Sequence, residues 1–195
     1  MRFFWAIPLI RAYPITLLHS CQYLAIYKFK NDNVDGMKAL IVYYSRTGRT
    51  RKIADALKSA INADVEEIQD TKNREGLIGW LTAGKDSMTK TTTFLKEAKF
   101  NPAHYDVVVI GSPTWNRSVS VPIRTYIKQH LEDLKHVALF STGDGEEKDA
   151  LKEMEEMLKG RVFASMHLER KKEIDNNDYH QKVEDFKKKI TSLIL

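Results

Sequence analysis

The chain has 195 residues, 43% of them hydrophobic and 29% charged, which suits one globular domain with a sizeable core. The net charge of +5 is modest, and the basic clusters Arg170-Lys171-Lys172 and Lys187-Lys188-Lys189 sit among Glu and Asp, so they read as solvated faces rather than a nucleic-acid patch. The single cysteine, Cys21, excludes an intramolecular disulfide and a cysteine-based metal site, and it fits a reducing compartment such as the cytoplasm.

Residues 1–36 do not share the pattern of the rest. Apolar stretches at 3–10, 12–18 and 23–27 are broken by Arg11, Pro14, His19 and Gln22. No uninterrupted run approaches the roughly 20 residues that span a bilayer. A signal-peptide exit of the A-x-A kind is absent. Residues 31–36 read as a linker, so 1–36 is expected to be an N-terminal extension outside the fold, with 37–195 forming one domain. A weak membrane-surface anchor is the competing reading of the extension.

From Met37 onward strand and helix alternate. Residues 39–44 (ALIVYY) form an apolar, β-branched and aromatic run too short for a helix, the pattern of a strand buried on both faces. Ile53, Leu57 and Ile61 recur every four residues and predict a helix with one apolar face. Residues 64–69 predict a second strand. An excursion over 70–104 has no strong strand; Leu77, Leu81 and Met88 lie at helical spacing there, weakened by Gly76, Gly79 and Gly84. Residues 107–110 predict a third strand. Pro122 opens a helix carrying Ile123, Ile127 and Leu131. A strand at 137–140, a helix with Leu151, Met154 and Leu158, a strand at 162–168 and a helix with Val183, Phe186, Ile190 and Leu193 complete the series. Five strands alternating with helices imply a parallel sheet covered on both faces. In such sheets ligands bind outside the carboxyl ends of the strands, where the strand order reverses. The segments after the first, third and fourth strands are therefore the candidate site.

The first, Ser45-Arg46-Thr47-Gly48-Arg49-Thr50, is a turn between a strand and a helix start. Unpaired N–H groups at a helix N-terminus and the helix dipole favour an anion, three hydroxyls add donors, and Gly48 allows close approach. A plain strand-to-helix connection with Thr50 as N-cap is the competing reading. Nucleotide loops of the G-x-G-x-x-G and G-x-x-x-x-G-K types are absent here. The second segment is Gly111-Ser112-Pro113-Thr114-Trp115-Asn116-Arg117-Ser118, and the third is Ser141-Thr142-Gly143-Asp144-Gly145-Glu146.

Over 37–195 these three segments, in this order and each after the expected strand, resemble the flavodoxin family: S-x-T-G-x-T, then Ser-Pro-Thr-Trp, then T-G-D. The resemblance implies a flavodoxin-like three-layer α/β sandwich with a five-stranded parallel sheet of order 2-1-3-4-5, and FMN as cofactor. It implies that Ser45, Thr47 and Thr50 hold the ribityl phosphate by hydroxyls, and Arg46, Gly48 and Arg49 by backbone N–H groups. The family usually has Asn where Arg49 stands, and cradles the phosphate without cations; Arg46, Arg49 and Arg51 depart from that. Ser112, Pro113 and Thr114 lead to Trp115, which as an exposed loop tryptophan would lie against the isoalloxazine ring; a Trp folded onto the core is the alternative. Asn116 tolerates positive φ, so the 116–117 peptide is placed to turn toward the flavin N5. Ser141, Thr142, Gly143 and Asp144 would hold the pyrimidine edge, with Asp144 and Glu147 also matching a capping box. Trp80, inside an insertion, is a candidate cover for the ring, as surface helix or dimer contact are for the insertion as a whole.

The expected function is electron transfer through bound FMN, with a redox partner protein or a small-molecule donor or acceptor. An FMN-dependent NAD(P)H or quinone oxidoreductase is the alternative, drawing on the 70–104 insertion, the basic charge, and Arg117 and Lys85 as candidate phosphate clamps. A cofactor-free interaction module is a further alternative. No catalytic residue, Ser-His-Asp grouping or metal-ligand set stands out, and no transmembrane segment, nucleic-acid partner or oligomeric state is indicated.

Overall fold

The computed structural model describes residues 36–71, 92–145 and 149–193. Its elements in chain order are β1 (Ala39–Tyr43), α1 (Arg49–Ile61), β2 (Asp64–Glu67), a 3-10 turn (Pro102–His104), β3 (Val107–Trp115), β4 (Ser118–Val119), α2 (Val121–His130), β5 (Val137–Gly143), α3 (Asp149–Leu158), β6 (Val162–Glu169), a π-turn (Arg170–Ile174) and α4 (His180–Thr191).

The strands β2-β1-β3-β5-β6 pair in parallel in that order, and β4 pairs antiparallel to the end of β3. The five parallel strands thus take the expected 2-1-3-4-5 order, with β4 as an addition that periodicity did not reveal. Side-chain alternation along β1 divides the core in two. Ala39, Ile41 and Tyr43 join Ile53, Leu57 and Ile61 of α1 and Val183, Phe186 and Ile190 of α4. Leu40, Val42 and Tyr44 join Ile123 and Ile127 of α2 and Leu151, Met154 and Leu158 of α3. A strand whose odd and even residues both enter a core must be apolar throughout, which is why 39–44 has no polar alternation. The three layers follow from this.

Two expected loops are strand. β3 runs nine residues to Trp115, and β5 runs seven to Gly143. Ser112 pairs with Ser141 and Pro113 with Thr142, so the two segments lie side by side as continuations of the sheet. Apolar patterning stops at Ile110 and Phe140 because hydroxyl residues take over, yet the backbone ladder continues. Residues 72–91 of the 70–104 insertion, Trp80 and Lys85 among them, lie outside the described residues, as does the N-terminal extension through residue 35. Next to the insertion, Asp70 and Leu95 form an isolated antiparallel bridge. No described helix is long and apolar enough to cross a membrane.

Candidate functional site

The parallel register brings the carboxyl ends of β1, β3 and β5 to one edge. Tyr43 pairs with Gly111, and Ser112 with Ser141, so the turn after β1 stands beside the continuations of β3 and β5.

In the first segment Gly48 is the N-cap of α1, at φ 83°. Thr50 is not the cap; it lies one residue inside the helix. The left-handed conformation suits glycine, whose missing Cβ removes the steric penalty, and a Cβ built on Gly48 would meet no atom within 4 Å. The space in front of this helix start is open. The first turn of α1 has no acidic residue to compete for the free N–H groups. Ser45 Oγ is buried and has no hydrogen-bond partner. Thr47 and Gly48 are exposed. Thr50 turns inward, and its hydroxyl shares a 2.9 Å hydrogen bond with that of Thr142, tying the first segment to the third.

The arginines are engaged laterally. Arg49 Nε donates to Asp175 at 2.8 Å, and its Nη1 donates to Thr47 Oγ1 at 3.3 Å. The Arg49 bond pulls the Asp175 carboxyl below its ordinary value. Arg51 is paired with Glu67 on β2. Arg46 stacks over the Trp115 ring, 5.9 Å from its centroid.

Trp115 is not exposed. It is 7% accessible, and its ring meets Tyr44 edge-on with centroids 5.4 Å apart. As the last residue of β3, paired with Ser118, it alternates onto the core side. The expectation of an exposed loop tryptophan is corrected by this geometry. Beyond it, Asn116 and Arg117 both have positive φ, 47° and 64°, and form the two-residue turn into β4. Both are exposed.

The hydroxyls of the second segment divide. Ser112 is fully buried; its Oγ donates to the Pro113 carbonyl and accepts from Ser120 N–H at 3.1 Å. It therefore supports the fold and does not face the edge. Thr114 Oγ1 is buried and has no hydrogen-bond partner. Thr114 also crowds Gly143 across the strands, where a Cβ would lie 3.2 Å from that oxygen.

In the third segment Ser141 is fully buried and hydrogen-bonded to His167 Nδ1 at 2.7 Å. His167 Nε2 lies 2.6 Å from the Gly145 carbonyl. A carbonyl only accepts, so Nε2 carries a proton, and the imidazole bridges the Ser141 hydroxyl and the Gly145 carbonyl. This imidazole, on neighbouring β6, pins both ends of 141–145. Asp144 is ion-paired with Arg170 of the π-turn. Its expected capping partner, Glu147, lies outside the described residues, and α3 begins at Asp149. Sequence reasoning missed His167, Arg170 and Asp175. A lone histidine on a strand and charges in a connecting turn carry no spacing signal. Among the described residues, no group of three or more His, Cys, Asp or Glu stands close enough to hold a metal ion.

The edge therefore presents two buried, unpartnered hydroxyls, an open helix N-terminus and an exposed turn, held from behind by Thr50–Thr142 and by His167. Buried hydroxyls without partners are uncommon and each calls for an explanation; a polar ligand at this edge would supply one for Ser45 and Thr114. Among solved structures, a Lactobacillus acidophilus flavoprotein in complex with FMN is 26% identical, with a TM-score of 0.61 over 68% of this chain and 93% of that one. A Bacteroides uniformis protein described as a flavoprotein is 24% identical, with a TM-score of 0.64 over 78% of this chain and 99% of that one. A Fusobacterium nucleatum flavodoxin bound to flavin mononucleotide shares the fold at 10% identity, with a TM-score of 0.52 over 80% of this chain and 98% of that one. No curated protein matches the chain. A flavodoxin family model matches residues 38–190. The chain belongs to the flavodoxin family.

Proposed function

We propose that this protein binds FMN at the β1, β3 and β5 edge and transfers electrons through it to a redox partner. The observations that carry the reading are that Ser45 Oγ, in the turn after β1, and Thr114 Oγ1, near the end of β3, are both buried and unpartnered, and that the N-terminus of α1 is open. The residues fit the group. A phosphate takes hydrogen bonds from Ser45, Thr47 and the N–H groups of 46–50, a site where negative charge is favoured. Thr114, Asn116 and residues 142–144 line the remaining edge and offer hydroxyl and backbone groups to a heteroaromatic ring. Trp115 contributes as a backing: packed on Tyr44, it stiffens the β3 end and carries Arg46 on its face. The FMN complex of the Lactobacillus acidophilus relative supports the same ligand.

When bound, FMN supplies one- and two-electron redox chemistry; the protein binds, orients and sets access. Arg46 and Arg49 lie near the proposed phosphate, but Arg49 is already neutralised by Asp175. Discrimination for the phosphate therefore rests on hydroxyl and N–H donors, with Arg46 as the nearby cation.

The test is titration of the protein with FMN and with riboflavin. FMN is expected to bind far more tightly. Thr47→Val keeps shape and removes one donor to a charged oxygen, an interaction that contributes about 1.5–3 kcal/mol, so FMN affinity should fall about tenfold or more with little change for riboflavin. Equal affinities for the two flavins would contradict the phosphate assignment, and no binding of either would end the FMN reading.

A further inference from the structure

The first turn of α1 carries an arginine whose charge is taken up by the protein itself. Arg49 Nε donates to Asp175 Oδ1 at 2.8 Å and its Nη2 donates to Asp175 Oδ2 at 3.3 Å, a two-pronged grip on one carboxylate. The third nitrogen, Nη1, donates to Thr47 Oγ1 at 3.3 Å. That contact sets the guanidinium at the wall of the phosphate cradle. It also occupies a lone pair of the Thr47 oxygen, so the Thr47 hydroxyl proton is free to point at a ligand.

The carboxylate is held in place from behind. Asp175 directly follows the π-turn, and its N–H donates to the Arg170 carbonyl at 2.8 Å. The carbonyl of neighbouring Ile174, a buried residue, accepts from Lys52 Nζ at 2.7 Å. Arg49 and Lys52 lie one turn apart on α1, so the connection from β6 to α4 is fastened to the start of that helix at two points. Asp144, the other carboxylate whose charge reaches Arg49, is ion-paired with Arg170.

With 35% and 42% of the two side chains accessible, the Arg49–Asp175 pair contributes little to stability. Its effect is on the field at the helix start. An unpaired guanidinium there would add to the helix dipole and attract anions of every kind. Coulomb attraction depends on distance alone, whereas hydroxyl and N–H donors at fixed positions reward only an oxygen held in the right direction. Arg49 bound to Asp175 leaves recognition to the second kind of force.

We propose that Asp175 is a specificity-determining residue: it withholds the Arg49 charge from the phosphate cradle, so that the cradle selects a phosphate monoester held in place by the rest of its ligand over free inorganic phosphate. This rests on the FMN reading above and deepens it.

The experiment uses the full chain with Asp175→Asn, Arg49→Gln and the double variant, each titrated with FMN, riboflavin and inorganic phosphate. Phosphate binding is followed by the amide chemical shifts of Gly48, Arg49 and Thr50, which needs no flavin. Asp175→Asn keeps the shape and frees the Arg49 charge, so FMN and inorganic phosphate should each bind about three- to tenfold more tightly, with a steeper dependence on salt. Arg49→Gln leaves the Asp175 charge uncompensated and should weaken both by a similar factor. The double variant removes both charges and should return to within about threefold of the unaltered chain. Riboflavin affinity should hold steady throughout, and Asp175→Asn should melt within about 2 °C of the unaltered chain. A merely structural pair would instead weaken both flavins in each single variant. That pattern, or FMN and phosphate affinities unmoved by Asp175→Asn, overturns the proposal. If the unaltered chain binds neither flavin while inorganic phosphate responds to the variants as stated, the FMN reading falls and the assignment of Asp175 to the anion site stands.

Discussion

Gly111→Ala is the substitution that most directly tests how the sheet carries the site. Gly111 lies in β3 between Tyr43 of β1 and Phe140 of β5, its register partners. A Cβ at Gly111 would stand within 3.0 Å of three atoms of the Phe140 ring, Cζ, Cε1 and Cε2. No real side chain tolerates such contacts, so either the ring or the strand must move. Phe140 is fully buried, in the cluster with Ile41, Leu57 and Leu168, and close-packed interiors leave little room for a ring to shift. Overpacking of this kind costs about 1–3 kcal/mol and occasionally more; with three ring atoms obstructed, a loss of about 3 kcal/mol is expected. For a domain of this size that lowers Tm by roughly 6–12 °C. Urea and thermal unfolding followed by far-ultraviolet circular dichroism would measure it. The cause is tested by adding Phe140→Leu. If the clash is the mechanism, the double variant should recover about 1 kcal/mol or more relative to the sum of the single losses. A Gly111→Ala protein melting within about 1 °C of the unaltered chain, or strictly additive losses, would refute the reasoning. Because Ser112 follows directly, the same variant should loosen the β3–β5 register and weaken flavin binding.

Other outcomes follow from single observations. The Tyr126 hydroxyl is buried without a hydrogen-bond partner, and burial pushes its ionisation well above the ordinary value, so Tyr126→Phe is expected to be neutral or stabilising by up to about 1 kcal/mol in urea unfolding. Glu173 is pushed up by burial, but its bonds from Lys182 and Glu169 N–H outweigh that and hold its carboxyl below the ordinary 4.5. A lowered folded value gives stability that is present above the ordinary value and lost as pH falls through the folded one. Denaturation midpoints should therefore drop below about pH 4.5, and Glu173→Gln should flatten that acid limb. A chain beginning at Met37 is expected to fold, bind FMN and melt within a few degrees of the full protein; a large drop would show that 1–36 contributes to the fold.

What the amino-acid order determined is local and periodic. Doubly apolar runs such as 39–44 read as central strands, Ile53, Leu57 and Ile61 share one face of a helix, and Ser45–Thr50 marks the turn ahead of α1. Alternation of strand and helix then leaves few ways to lay down the sheet, so its order and the edge holding the site were legible. What the tertiary structure decided is which polar groups face that edge. Ser45 and Thr114 remain unpartnered, whereas Ser112, Ser141 and Thr50, of the same chemical kind, are spent on Ser120, His167 and Thr142. Whether Trp115 lies outside or against Tyr44 depended on how far the β3 ladder ran, and its last two residues were held in it by pairing with β4. Arg49 with Asp175 and Arg124 with Glu153 meet across 126 and 29 residues. A hydroxyl or a charge can satisfy itself with any partner in reach, so its role is undetermined until the chain has folded and selected that partner.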